Sequence, residues 1–526
     1  MTKRLASDSW LTHELNRRTL LTGSAGIIGL SATHLLSGST IGGQTTRFSS
    51  YPFTLGVASG DPTPTGVVLW TRLAPEPLAG GGMPSDDVEI TWEIASDEQM
   101  QTTVQRGSAI AHSALGHSVH VEVEELDPNR WYWYRFTIGT EESPIGRTRT
   151  LPTDGDATTN LRFAFASCQH YEQGYFTAYQ HLVRDDLDLV FHLGDYIYEY
   201  AGRDDRVRAH TGDEIELLND YRNRHALYRT DADLQAAHAA FPWIVTWDDH
   251  EVDNNYAANI SEDGLPAELF LRRRAVAYQA YYEHMPLRRS SLPQGSQMQL
   301  YRDFRWGSLA SFFVLDTRQY RTDQPCGDRS GPACDDMLDP NATPLGNMQE
   351  QWLLNGLDQS MARWNVIPQQ IMMARVDRLP GDDEMFGMDI WSGYEVARRR
   401  LMDFLATRQP ANPIVLTGDI HTNWVNDLQV DYHDDNAQIV ATEFVGTSIS
   451  SSGDGSDTRD STAGMLAENP WVKFFNAQRG YVRCTVTEEQ CVADYQVLEY
   501  VTRRGSPIST RASFVVENGR PGAQRL

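Results

Sequence analysis

At 526 residues the chain is longer than one hydrophobic core usually organises, so length alone predicts two domains. Its 71 acidic residues outnumber the 45 basic ones, and the resulting pI near 4.9 excludes a sequence-independent grip on nucleic acid or on an anionic membrane. Lysine occurs only at Lys3 and Lys473, so the basic complement is nearly all arginine, a bias that suits bidentate phosphate contacts without singling out a function.

In chain order, Arg17-Arg18 stands before a weakly apolar, Gly/Ser/Ala-containing stretch from Thr19 to Leu36. The pair resembles a twin-arginine export signal. The stretch is too short and too glycine-rich for a membrane span, and no later segment reaches the roughly 20 apolar residues a span needs. Residues 1–45 are therefore expected to be a leader and linker. The expected partners are the twin-arginine export machinery and a phosphate ester, with no nucleic-acid platform and no stable membrane anchor. The expected location is periplasmic or extracellular, and the expected state is a monomer.

Residues 46–155 alternate apolar and polar in GVVLWTRL, VEITWEIAS, SVHVEVEEL and WYWYRFTIG, separated by turn residues. This predicts a small antiparallel sandwich of the immunoglobulin or fibronectin kind, closed by the polar stretch LPTDGDATTN. From residue 156 to 526, short apolar runs alternate with helical patterns, as in a layered domain, so the whole is read as α+β.

Chemistry sits where those runs end. LRFAFAS leads to Cys168, LDLVFHLG to Asp195 and Tyr198, WIVTW to Asp249 and His250, and PIVLTG to Asp419 and His421. One acidic strand end means little, because Asp is common in turns and caps. Several converging there, with thiol, phenol and imidazole beside them, point to bound cations, since clustered buried carboxylates are otherwise unfavourable. The mixed donors suit a transition metal, and an oxygen-only neighbour set suits calcium, magnesium or manganese. Five cysteines in an exported chain suggest two disulfides, Cys326–Cys334 and Cys484–Cys491, the second across a predicted hairpin, with Cys168 left over.

GD-x-x-Y, WDDHE-x-x-NN and a late GD-x-H resemble the metallophosphoesterases, and with FTLGVASGDPTPTGVVLWTRL, FASCQ and FVVENGRPG specifically the PhoD-type alkaline phosphatases/phosphodiesterases. The resemblance implies a layered αββα catalytic domain behind the sandwich and a centre of one Fe3+ with one or two Ca2+. It places Cys168, Asp195, Tyr198 and His421 on iron. It gives Asp195 as a bridge to calcium, with Asp249 and Asp419 on calcium too. Asn255 is similar to a calcium-ligand position, with the adjacent Asn254 left open, and His250 corresponds to a residue contacting the phosphate or leaving group. His170, His192 and His225 read as structural, and Tyr196 and Tyr200 as packed aromatics. The implied reaction is ester hydrolysis at alkaline pH by metal-activated water, in line and with inversion at phosphorus. Arg375 and Arg378 follow another apolar run and are able to meet phosphate or to pair with nearby acids. The alternatives are a phospholipase D-like or teichoic-acid phosphodiesterase and, from another class, an exported metal-stabilised binding protein.

Overall fold

The alternating segments of the N-terminal quarter form β1 (Val57–Gly60), β2 (Val67–Arg72), β3 (Val88–Ala95), β4 (Thr103–Ala111), β5 (Ser118–Val123), β6 (Trp131–Ile138), β7 (Glu141–Glu142) and β8 (Gly146–Arg149). The coordinates, a computed structural model, describe residues 48–156, 158–434 and 436–526, so the expected leader over residues 1–45 lies outside them. In β6 every second residue is buried, the period of a strand with one face on a core.

The remaining elements are β9 (Asn160–Ala166), α1 (Thr177–Leu182), β10 (Leu189–Leu193), α2 (Leu218–Arg229), α3 (Ala232–Ala240), β11 (Pro242–Thr246), α4 (Ala267–His284), β12 (Arg302–Trp306), β13 (Ala310–Val314), α5 (Gly346–Gln359) and β14 (Trp364–Pro368). They continue with α6 (Glu395–Arg408), β15 (Pro413–Thr417), β16 (Asn423–Gln429), β17 (Ile439–Val445), α7 (Thr462–Glu468), β18 (Val472–Asn476), β19 (Gly480–Thr487), β20 (Gln490–Leu498), β21 (Ile508–Glu517) and β22 (Arg520–Arg525). β10, β11, β13, β14 and β15 are buried at every position, which is why they read as continuous apolar runs.

Ten strands form one sheet in the order β22-β21-β20-β19-β9-β10-β11-β1-β2-β5, and seven form another in the order β12-β13-β14-β15-β17-β16-β18. Phe163, Phe191 and Ile244 of the first sheet share a buried cluster with Phe312, Val366, Ile414 and Phe444 of the second. The first sheet's other face carries a cluster with α1 to α4, and the second's a cluster with α5 and α6. β3, β4, β6 and β7 form a third sheet, with β8 paired to β6. Ile90, Ile94, Tyr134 and Phe136 of that sheet cluster with Val67, Leu69, Val119 and Val121 of β2 and β5. β1 pairs parallel to β11, Ser59 opposite Pro242, so backbone hydrogen bonds cross the boundary expected at residue 155.

The structure contains the Cys326–Cys334 disulfide and corrects the second pairing. β19 and β20 do form the expected hairpin, but its register sets Cys484 opposite Ala493 and Cys491 opposite Val486. The two cysteines are diagonal neighbours rather than directly opposed, a separation of about 7–8 Å that a disulfide does not span. Cys484, Cys491 and Cys168 are all free and buried, so Cys168 is one of three free thiols.

Candidate metal centre

β9, β10 and β11 run parallel to one another and β15 runs parallel to β14 and β17, and the turns just past their ends carry Cys168, Asp195, Asp249 and Asp419. This is the end of a layered sheet where ligands are usually held. Cys168, Asp195, Asp419, His421 and Asn255 all have left-handed backbone, with φ of 57°, 55°, 60°, 58° and 49°. Each such non-glycine residue costs on the order of 1 kcal/mol or more, and such residues gather where function over-determines the backbone. Gly194 makes the Asp195 turn feasible: at its φ of 107° a Cβ would lie 2.5 Å from the Cβ of Asp248.

Glu251 ties two of the turns together. Its carboxylate accepts from the Asp195, Tyr196 and Asp248 backbone N–H groups at 3.2, 2.5 and 2.9 Å. The Cys168 N–H donates to the Gly194 carbonyl at 3.0 Å, which locks the third turn to the second.

One half of the centre has mixed donors. A ligand atom each of Cys168, Asp195 and His421 lies within 4.8 Å of the others. The Tyr198 hydroxyl donates to Asp195 Oδ2 at 2.8 Å and lies 3.1 Å from His421 Nε2, and Ser451 Oγ donates to it at 2.7 Å. Burial pushes the Cys168 thiol and the Tyr198 phenol well up, with Asp195 adding to both. Both donors are thus neutral without a cation beside them.

The other half is built from oxygens. Asp195, Asp249 and His250 form a second group within 4.8 Å. Asp195 Oδ1, Asp249 Oδ1 and Asp248 Oδ2 are buried with no hydrogen-bond partner among the described residues. Burial, with neighbouring carboxylates adding to it, pushes Asp195, Asp248 and Asp419 well above the carboxylate range against the opposing charges of His250 and Arg318. Burial also opposes ionisation of Asp249, but Arg318 and then His250 outweigh it and hold this carboxyl below the ordinary range. Carboxylates gathered in the interior with orphaned oxygens fit bound cations, whose charge would relieve both the repulsion and the lost hydrogen bonds.

Arg318 is fully buried and grips Asp389 through two bonds of 2.9 and 2.8 Å; its Nη2 stands 3.9 Å from both Asp249 and Asp419. His250 Nδ1 lies 2.8 Å from Glu199 Oε2. Burial opposes charge on this imidazole, yet Glu199, Asp249 and Asp195 raise its pKa well above the usual value.

Asn255 donates its backbone N–H to Asp249 Oδ2 at 2.8 Å and its Nδ2 to Asp328 at 2.9 Å, whereas the Asn254 amide is spent on Tyr200 and Glu262. His192 and His225 are fully buried away from the centre. His170 is closer than expected, its ring 4.3 Å from that of Tyr198. Tyr196 is buried with its hydroxyl 2.9 Å from His238 Nε2, and Tyr200, in the loop after β10, is 40% exposed but keeps its ring 5.2 Å from that of His250 and 6.4 Å from that of Tyr198. Sequence reasoning missed Glu251, Arg318, Asp389, Glu199 and Ser451. Arg318 had a signal, since ASFFVL-Asp316-Thr317-Arg318 is another apolar run ending in charged residues.

Residues 163–495 match the PhoD-like phosphatase family, and residues 38–152 match the PhoD-like phosphatase N-terminal domain. Alkaline phosphatase D of Bacillus subtilis (strain 168) is 52% identical over 532 residues, which covers 100% of this chain and 91% of that protein. A solved structure of PhoD superposes with a TM-score of 0.89 at 55% identity, covering 91% of this chain and 93% of that one. A purple acid phosphatase from yellow lupin (Lupinus luteus) seeds shares the fold alone, with a TM-score of 0.54 at 12% identity over 88% of this chain and 73% of that one. The match runs through the strand-end motifs on both sheets and sets aside the binding-protein alternative; the chain belongs to the PhoD-like phosphatase family and is a metal-dependent phosphoesterase.

Proposed function

We propose that this phosphoesterase is exported by the twin-arginine route and hydrolyses phosphate mono- and diesters at alkaline pH, outside the cytoplasm and as a monomer, with iron and calcium as its metals. The observation that carries the metal assignment is the junction at Asp195, which one mixed-donor group and one oxygen-rich group share. Cys168, Tyr198, His421 and Asp195 would hold ferric iron, for which thiolate, phenolate and imidazole are suited donors. Asp195, Asp249, Asp419 and the Asn255 amide oxygen would hold calcium, a cation of oxygen ligands. Bound metals at such a centre make water nucleophilic and offset phosphoryl charge.

The chain supplies the rest. Asp195 and Asp249 fix the separation of the two donor groups, and Glu251 keeps the Asp195 and Asp248 turns from moving apart. Glu199 takes the Nδ1 side of His250, which leaves Nε2 to face the centre; held protonated there, it donates a proton to the leaving oxygen. In domain terms we read residues 1–45 as leader and linker, 46–155 as an N-terminal sandwich and 156–526 as a layered αββα catalytic domain, supported by the three clusters that separate sheets from helices.

The test is release of 4-nitrophenol from 4-nitrophenyl phosphate and its bis-ester by purified protein at alkaline pH. A calcium-selective chelator abolishes the activity and added calcium restores it; turnover indifferent to the chelator would contradict the assignment.

A further inference from the structure

Asn255 is tied down at three points: its N–H donates to Asp249 Oδ2 at 2.8 Å, its carbonyl accepts from Gln324 Nε2 at 2.6 Å, and its Nδ2 donates to Asp328 Oδ2 at 2.9 Å. Its amide oxygen Oδ1 has no hydrogen-bond partner among the described residues. The neighbouring Asn254 shows the contrast, because its Oδ1 accepts from the Tyr200 hydroxyl at 3.2 Å and is already used.

Asp328 decides which end of the Asn255 amide is left over. An amide offers a donor at one end and an acceptor at the other, whereas an ionised carboxylate only accepts. Oδ2 of Asp328 therefore takes the NH2 end and leaves the oxygen end, the one that calcium needs from a ligand. Without that carboxylate the amide is free to turn over and present its NH2 instead.

Asp328 does not hold its place by local preference. Cys326, Gly327 and Asp328 have φ of 56°, 71° and 56°, a left-handed run in which each non-glycine residue costs on the order of 1 kcal/mol or more. The surrounding loop holds the run in place. The Cys326–Cys334 disulfide closes it, and Gly331 pairs with Phe386 through two backbone bonds of 3.0 and 2.8 Å. Both cysteines pack on the buried cluster of Met337, Phe386 and Met388. Gln324, just before the disulfide, ties the same segment to Asp389 at 2.8 Å, the carboxylate that Arg318 grips.

We propose that Asp328 is a positioning residue for calcium: from its disulfide-held turn it fixes the Asn255 amide with Oδ1 toward the cation, so that calcium affinity depends on the closed Cys326–Cys334 loop. The proposal rests on the assignment of Asn255 to calcium made above. It adds to that assignment a loop that carries none of the expected metal ligands.

The test is calorimetric titration of calcium into iron-loaded protein dialysed free of calcium, for wild type, Asn255→Ala, Asp328→Ala and the double variant. Asp328→Ala raises the calcium Kd about tenfold, as loss of a ligand-orienting partner does. On the Asn255→Ala background it adds nothing further, because no amide remains to be oriented. Asp328→Asn, which keeps an oxygen acceptor at the same place, recovers most of the affinity. Cys326→Ser/Cys334→Ser weakens calcium in the same direction; serine replaces a reductant here because a reductant would also act on ferric iron. Asp328 and Asn255 are both half-buried, and circular dichroism confirms that each variant is folded. An unchanged Kd in Asp328→Ala, or an equal loss on the Asn255→Ala background, overturns the positioning role. A Kd unmoved by opening the disulfide overturns the loop's part in it. Wild-type protein that takes up no calcium, or Asn255→Ala that binds it as tightly as wild type, would instead overturn the calcium assignment beneath the proposal.

Discussion

The two halves of the centre meet at Asp195 but are stabilised in opposite ways. On the mixed-donor side, Cys168 and Tyr198 are kept neutral by burial and are tethered by neutral hydroxyls, Ser167 to the thiol and Ser451 to the phenol. On the oxygen side, Asp249 is already ionised beside a fully buried guanidinium, and Asp419 lies at the same 3.9 Å from that arginine. The first half must lose protons when a cation arrives, whereas the second is partly charged in advance. That contrast teaches that metal identity is set by proton release on one side and by charge count on the other.

The comparison breaks most completely if its shared residue is removed. Asp195→Asn should lower turnover by roughly 10³-fold or more, since it weakens both groups at once, and metal content should fall for iron and calcium together. Single-sided changes should sharpen the contrast. Cys168→Ala should strip iron while leaving calcium, and Asp249→Asn the reverse, each read by elemental analysis.

A smaller effect is expected from the supports. Glu251→Gln should cost about 10–100-fold in activity or metal affinity, as removal of a residue that orients ligands typically does, and both metals should be affected because Glu251 holds the turn of the shared Asp195 to that of Asp248. Stability should also depend on pH in a way that metal removes. Burial and mutual repulsion raise Asp195, Asp248 and Asp419 in the metal-free fold, so protonation favours the folded form. Stripped protein should therefore be most stable at or below the ordinary carboxylate range, near pH 4 for these groups alone, and should weaken as pH rises through their raised values. Reloading with metal should flatten this dependence in a thermal-melt series. The smallest effect concerns the cysteines: reductant should act through Cys326–Cys334 alone, at about 2–3 kcal/mol, and Cys484→Ala should not change the response.

The sequence announced the centre through four apolar runs that end in Cys168, Asp195, Asp249 and Asp419, because strand ends are where side chains can converge from distant segments. It hid Arg318, Glu199 and Glu251, whose roles arise from contacts between turns rather than from any local pattern. The β19–β20 hairpin was legible, but its register was not: alternation fixes which face a cysteine takes, not which residue lies opposite it. The mixing of N-terminal strands β1, β2 and β5 into the ten-stranded sheet was hidden for a similar reason, since a parallel pairing of β1 with β11 links residues far apart in sequence.

The most direct measurement is elemental analysis of wild-type, Cys168→Ala and Asp249→Asn proteins purified after export. The account predicts one iron with calcium in the wild type, calcium without iron in the first variant and iron without calcium in the second. Zinc and magnesium in place of both metals, or variants that lose the two metals together, would contradict a centre with two differently built halves.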